Sequence, residues 1–149
     1  MNRPEWLKKL KKYGTVDLKK SIAQIIISFI PYLLLMVIMY IMLKNGLSYW
    51  TVLPLILVAA LFLVKIFIIF HDCSHHSFLK STRANSILGH ICGILTFTSF
   101  HDWRHSHNIH HATVVNLDKF GIGDVWLMTA EEYKNSSKLK KLQYRLFRF

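Results

Sequence analysis

The sequence predicts an all-α membrane protein, in which a transmembrane helical hairpin is followed by interfacial and cytoplasmic helices that carry clustered histidines. Two observations predict this fold class. Apolar residues make up 52% of the 149 residues, and they gather in long blocks rather than recurring at the period of a soluble helix or strand. The net charge of +11 comes from basic residues beside these blocks. Such flanks favour contact with anionic lipid, so no nucleic-acid partner is expected.

Residues 1–20 are predicted to form a basic cytoplasmic or interfacial segment. They carry seven Lys or Arg residues. Their apolar residues recur at helix-like spacing, which is typical of an amphipathic segment on a membrane surface. A solvated basic tail is the alternative interpretation.

Residues 21–70 are predicted to form the transmembrane hairpin. Residues 22–43 are uncharged, and residues 51–70 contain Lys65 as their single charge. Each block is long enough to cross a hydrocarbon layer of about 30 Å. Only Lys44 lies between the two blocks, whereas seven basic residues precede the first. The positive-inside rule therefore predicts that both termini and the histidines after the second span are cytoplasmic.

Residues 71–149 are predicted to form a cytoplasmic region that carries the histidines. Residues 86–100 are apolar but too short for a span, which favours an interfacial or re-entrant helix. Within it, Gly89 and Gly93 have the spacing of closely packed helices. Residues 131–149 have the pattern of one basic amphipathic helix. Cys73 and Cys92 form no CxxC pair, so two reduced thiols are expected.

All nine histidines lie within a window of 41 residues, 71–111. Neutral imidazole is the commonest metal ligand in proteins. At about 100° per helical residue, His71 and His75 lie about 40° apart, and three histidines of the second cluster share an arc of about 100°. The predicted metal ligands are His71, His75, His107, His110 and His111. The predicted supporting groups around them are His76, His101, His105, Asp72 and Asp102.

Three other polar residues of this region are predicted to have no role in metal binding. His90 is expected to be structural. Asp118 and Asp124 are expected to be helix-cap or loop carboxylates.

The ligand types restrict the metal and its chemistry. No HExxH motif is present, which excludes the usual zinc protease site. No glutamate occurs between residues 6 and 130, so the Glu-x-x-His ligation of carboxylate di-iron bundles is excluded. Imidazole-rich sites suit iron, copper, zinc or nickel. Five histidines exceed the needs of one tetrahedral zinc, which favours two metals, or one metal with spare histidines. Beside a membrane, iron could act on an acyl chain with oxygen.

Three segments, "HDCSHHSF" (71–78), "WRHSHNIHH" (103–111) and "NLDKFGIGDVW" (116–126), resemble the membrane fatty acid desaturases, especially the bacterial acyl-lipid type. Members of that superfamily carry three histidine boxes around a di-iron centre, which uses oxygen and two electrons to dehydrogenate an acyl chain. His71 and His75 match the first box. The second box is matched by His107, His110 and His111.

The resemblance implies two iron ions as cofactor, O2 as co-substrate and membrane lipid acyl chains as substrate. It also implies ferredoxin or cytochrome b5 as electron donor, and a bacterial inner membrane as location. The 149 residues contain no histidine after His111, whereas the family has a third box. We therefore expect an N-terminal portion that is incomplete at its C-terminus and inactive alone. Either a truncated or a split reading frame would produce it, and in the split case a separate C-terminal portion would be its partner. The alternatives are a hydroxylase or ketolase of the same superfamily, and a non-catalytic metal-binding membrane protein.

Overall fold

The computed structural model describes residues 5, 14–114, 116, 121 and 125–148. Within these residues the chain is helical and contains no strand, which confirms the predicted fold class. Most of the predicted basic segment 1–20 lies outside the described residues, as do Asp118 and Asp124. The helices that lie wholly within the described residues are α1 Leu18–Lys44, α2 Tyr49–Ser74, α3 Thr82–Leu95, α4 Phe100–Thr113, α5 Ala130–Asn135 and α6 Lys138–Arg148.

The chain groups into two compact units, residues 1–105 and residues 106–149. In the first unit, α1 packs along α2, and α3 packs against α2. Both α1 and α2 are long and apolar enough to cross a membrane, which agrees with the predicted hairpin. Their outer faces carry large apolar side chains that are about half exposed, such as Leu34 at 56% and Leu57 at 67%. Lipid would cover such faces in a membrane helix, whereas a soluble monomer rarely exposes so large an apolar area.

Local sequence signals set the ends of the two long helices. The side chain of Asp17 accepts hydrogen bonds from the backbone N–H groups of Lys19 and Lys20, which caps the start of α1. The turn after α1 uses Gly46 at φ +79°, a left-handed conformation that glycine adopts without steric cost. The C-terminal end of α2 lies at Ser74, four residues beyond the predicted span. His71 therefore lies on the same unbroken helix as the apolar block.

The core of the first unit lies where the end of α2 meets α3. It contains Ile66, Ile69, Phe70, Cys73, Phe78, Cys92 and Phe100, all of them buried. The rings of Phe70 and Phe100 meet edge to face with centroids 5.4 Å apart. Gly89 permits this contact, because a Cβ at that position would overlap the ring of Phe100. The spacing of Gly89 and Gly93 thus serves close packing against the start of α4.

A buried asparagine fixes the loop between α2 and α3. The Oδ1 atom of Asn85 accepts a hydrogen bond from the Leu79 N–H at 2.9 Å, and its Nδ2 donates to the carbonyls of Leu79 (2.6 Å) and Ser81 (2.9 Å). A further bond runs from the Ser21 hydroxyl to the carbonyl of Phe78 at 2.7 Å. The loop that follows the first histidine cluster is therefore tied to both α1 and α3.

We expect Asn85→Ala to destabilise the protein by about 3 kcal/mol, because three backbone hydrogen bonds are lost in a site that excludes water. Thermal unfolding in detergent, followed by circular dichroism, would measure the change. Asn45→Ala is the matched control, since the Asn45 side chain also donates to a backbone carbonyl but is exposed. Similar shifts for the two variants would contradict the role assigned to Asn85.

In the second unit, the prediction of one helix over residues 131–149 is wrong. The chain forms α5 and α6 instead, with Ser136 extended between them at ψ 153°. The Ser136 hydroxyl donates to the carbonyl of Glu132 at 2.7 Å, and the Ser137 hydroxyl accepts from the Lys140 N–H at 3.3 Å. Serine side chains that bond to nearby backbone in this way compete with helix continuation and favour a new helix start.

Candidate metal centre

The first histidine cluster lies at the end of α2. His71 is in the last turn, and His75 is the C-terminal capping residue. Their ring centroids are 4.7 Å apart, as expected for residues four positions apart on one helical face. His76 follows with φ +54°, so the chain leaves the helix there. Its Nδ1 atom is buried and makes no hydrogen bond within the described part of the chain.

Asp72 lies beside the first of these histidines. Its Oδ1 atom is 3.0 Å from the Nδ1 atom of His71, which is the distance of an N–H group that donates to a carboxylate. A carboxylate in this position fixes the orientation of the imidazole ring and makes its other nitrogen a better donor to a metal. Trp103 packs against this histidine: its ring centroid is 5.8 Å from that of His71 and 4.9 Å from that of Phe70.

The second cluster lies on α4. The Nε2 atoms of His107 and His111 are 3.0 Å apart, and the two ring centroids are 4.5 Å apart. His110 lies between them in sequence, with its ring centroid 6.1 Å from that of His107 and 5.8 Å from that of His111. An Nε2–Nε2 distance of 3.0 Å is that of one shared N–H···N hydrogen bond.

Four histidines could together hold a metal ion. His71, His75, His107 and His111 each offer one ring nitrogen, and these four atoms all lie within 4.8 Å of one another. All four were predicted as ligands, whereas the fifth predicted ligand, His110, is not in this group. Its role as a ligand remains a prediction.

The donor set fits a first-row transition metal. The Nε2 atoms of His107 and His111, which are 3.0 Å apart, are close enough together for both to bind one metal ion. All four ligands are imidazoles and none is a thiolate, so the set suits iron, copper, zinc or nickel rather than an iron–sulfur cluster. Iron is therefore compatible with the residues that are present.

The other predicted supporting histidines lie at exposed positions of α4. His101 and His105 are both exposed. The His101 Nδ1 atom is 3.5 Å from Oδ1 of Asp102, and both side chains are more than four-fifths exposed. The pKa of Asp102 is lowered, chiefly by a hydrogen bond from the Ser99 side chain and to a smaller extent by one from His101. The supporting roles of these residues remain predictions.

His90 lies on α3 and makes local contacts. Its Nδ1 atom is 2.7 Å from the carbonyl of Ser86, and its ring is 5.0 Å from that of Phe100. The structural role predicted for it agrees with these contacts but remains a prediction.

Two residues that shape the site were not found by pattern alone. Asn85 holds the loop next to the first cluster, and Trp103 packs on His71. The position of Trp103 next to the second histidine cluster was the only signal of its contact with the first.

Comparison with known proteins identifies the family. The fatty acid desaturase family model matches residues 48–146, which is more than half of the chain. The chain belongs to the fatty acid desaturase family. No solved structure gives a significant match.

Individual members of the family are also similar to the chain. A fatty acid desaturase of Bacillus subtilis (strain 168) is 47% identical over 141 residues, which cover 95% of this chain and 40% of the relative. An sn-1 oleoyl-lipid 12-desaturase of Arthrospira platensis is 35% identical over 100 residues, covering 66% of this chain and 28% of the relative. An sn-1 acyl-lipid omega-3 desaturase (ferredoxin) of Synechocystis is 35% identical over 71 residues, which cover 48% of this chain and 19% of the relative. The chain thus spans less than half the length of each of these relatives.

Asp72→Asn should weaken metal binding by about 10- to 100-fold, because the carboxylate that orients His71 is lost while all four histidines remain. Binding of ferrous iron to the purified chain, titrated without oxygen, would measure the change. Asp17→Asn is the matched control, since its carboxylate is also converted to an amide but caps the start of α1 instead of facing a histidine. Equal losses for both variants would contradict the particular role of Asp72.

Proposed function

We propose that the chain provides the first two histidine boxes of an oxygen-dependent acyl-lipid desaturase with a di-iron centre. The observation that carries this proposal is the convergence of four histidine nitrogens within 4.8 Å, in a chain of the fatty acid desaturase family. One box continues directly from a helix that is long and apolar enough to cross a membrane. Lipid acyl chains are therefore the substrates within closest reach.

Bound iron would supply the oxygen activation needed to break unreactive C–H bonds. The overall reaction removes two hydrogen atoms from adjacent methylene groups, and O2, two electrons and two protons complete the formation of two water molecules. Ferredoxin is the proposed electron donor, supported by its appearance in the name of the Synechocystis relative. Cytochrome b5 is the alternative donor.

The residues of this chain would hold the metal and fix its surroundings. His71, His75, His107 and His111 are the proposed ligands, with His110 as a fifth. Asp72 orients the ring of His71 through the contact at 3.0 Å, and Trp103 covers that ring on its apolar side. Both chain termini and the histidines are proposed to face the cytoplasm, where reduced electron donors are available.

Two boxes are proposed to be insufficient for catalysis, because the family carries a third box that supplies further ligands. A chimera tests this proposal: residues 1–149 are joined to the remainder of the Bacillus subtilis relative and expressed in a host that lacks desaturases. We expect new double bonds in the lipids of cells that express the chimera, and none in cells that express the 149 residues alone. The same chimera with His107→Ala is the inactive control.

Each other outcome of the chimera experiment has a definite meaning. Double bonds produced by the 149 residues alone would overturn the need for a third box. Hydroxylated or keto lipids from the chimera would assign the site to the hydroxylase or ketolase branch. Purified chain that contains zinc and no iron would favour a non-catalytic metal-binding protein.

A further inference from the structure

Helix α6 presents a stripe of exposed leucines. Leu139, Leu142 and Leu146 are 66%, 53% and 71% exposed. At about 100° per residue they fall within an arc of about 60° on the helix. Three large apolar side chains aligned on one exposed face mark a binding surface more often than isolated surface leucines do.

The opposite side of α6 is already occupied by its own unit. The ring of Tyr144 packs against Trp126 at 5.2 Å and against Tyr133 at 5.9 Å. The Arg145 Nε–H group donates to the Tyr133 hydroxyl at 2.6 Å, and the Lys141 ammonium donates to the carbonyl of Lys134 at 2.8 Å. These contacts fix the rotation of α6, so that the leucine stripe faces away from the residues against which the helix packs.

The charge of α6 indicates what covers the stripe. Its 11 residues include no Asp or Glu, and they carry five basic residues. Lys138 lies on one side of the stripe, and the other basic residues continue around the helix. An apolar stripe with a basic flank fits an anionic bilayer surface, where leucines enter the boundary between headgroups and acyl chains while lysines reach the phosphates. The basic side chains of α6 are Lys138, Lys140, Lys141, Arg145 and Arg148.

We propose that α6 lies on the membrane surface, with the stripe of Leu139, Leu142 and Leu146 inserted among anionic lipids. The two candidate membrane helices, α1 and α2, hold the chain at a bilayer, which keeps α6 within reach of lipid. This inference does not depend on the desaturase reaction. It concerns a surface outside the histidine site.

The test places a reporter on the stripe of the full-length chain. Leu142→Cys is labelled with an environment-sensitive fluorophore, which is selective because the native Cys73 and Cys92 are buried, and burial raises the pKa of the Cys92 thiol to about 12. The labelled chain is reconstituted in phosphatidylcholine bilayers with and without phosphatidylglycerol. Gln143→Cys, which lies beside the stripe on the same helix, and Lys140→Cys, which lies further round, are labelled in parallel.

We expect the fluorophore of Leu142→Cys to shift to the blue in bilayers that contain phosphatidylglycerol, and to be quenched by brominated lipid. The shift should weaken at high salt, because salt screens charge at a surface. Adding Lys138→Gln and Lys140→Gln should weaken the preference for anionic lipid by roughly tenfold or more, since each basic residue near such a surface contributes separately. The fluorophore of Lys140→Cys should stay accessible to aqueous iodide.

Two results would overturn the proposal. A Leu142→Cys fluorophore that iodide quenches equally in both bilayers would show that water covers the stripe. A fluorophore protected from both iodide and brominated lipid, irrespective of lipid charge, would show that protein covers it. Circular dichroism of each variant would verify that the helices are retained.

Discussion

His107→Ala should lower the affinity of the chain for ferrous iron by more than about 100-fold, because losing a ligand costs more than losing a group that merely orients one. His107 is in the group of four histidines and its Nε2 atom lies 3.0 Å from that of His111. Anaerobic titration with iron, together with metal analysis of the purified chain, would measure the loss.

Three further substitutions make the result specific. His111→Ala should match His107→Ala, whereas His90→Ala should bind iron like the parent chain, because the Nδ1 atom of His90 faces the carbonyl of Ser86. His110→Ala decides whether the fifth predicted ligand binds metal, and we expect a loss there too. An equal loss at His90, His107 and His110 would contradict the sorting of the histidines by helical face.

Gly89→Ala should destabilise the protein by about 1–3 kcal/mol, the usual cost of forcing extra volume into a packed core. The added Cβ would overlap the ring of Phe100. That ring cannot simply turn away, because it is 4% exposed and also packs against Phe70. Since Phe100 begins α4, the displacement reaches the helix that carries the second histidine cluster. The temperature of thermal unfolding and the affinity for iron should therefore both fall.

A double substitution separates this clash from a general effect of alanine. Phe100→Leu leaves more room beside Gly89, so Gly89→Ala should cost less in that background, and the interaction energy of the pair should be favourable. Gly121→Ala serves as the control, because a Cβ there meets no described atom within 4 Å. Additive effects of Gly89→Ala and Phe100→Leu would show that the two residues do not press on each other.

The sequence was sufficient to predict features that depend on local composition. Two apolar blocks gave two helices at nearly the predicted positions, since length and lack of charge alone decide whether a helix can cross a membrane. The pairing of His71 with His75, and of His107 with His111, followed from helical spacing. That these two pairs share one site did not follow from spacing. It was implied by the family resemblance, and the grouping of the four histidines supports it.

Features that depend on single side-chain contacts were not predicted. Nothing in the pattern around Asn85 distinguishes a buried loop clamp from a solvated helix residue, because the difference lies in which backbone groups face it. The break at Ser136 was missed for a related reason. The amphipathic pattern continues across residues 136 and 137, while the hydrogen bonds of their hydroxyl groups end one helix and begin the next.

The unbroken course of α2 from Tyr49 to Ser74 links bilayer thickness to the geometry of the histidines. One response of a membrane helix to a thinner hydrocarbon layer is a larger tilt. No hinge separates the apolar part of α2 from His71, and the loop after it is clamped by Asn85 and Ser21. Any change in the tilt of α2 would therefore move the first histidine cluster together with the helix.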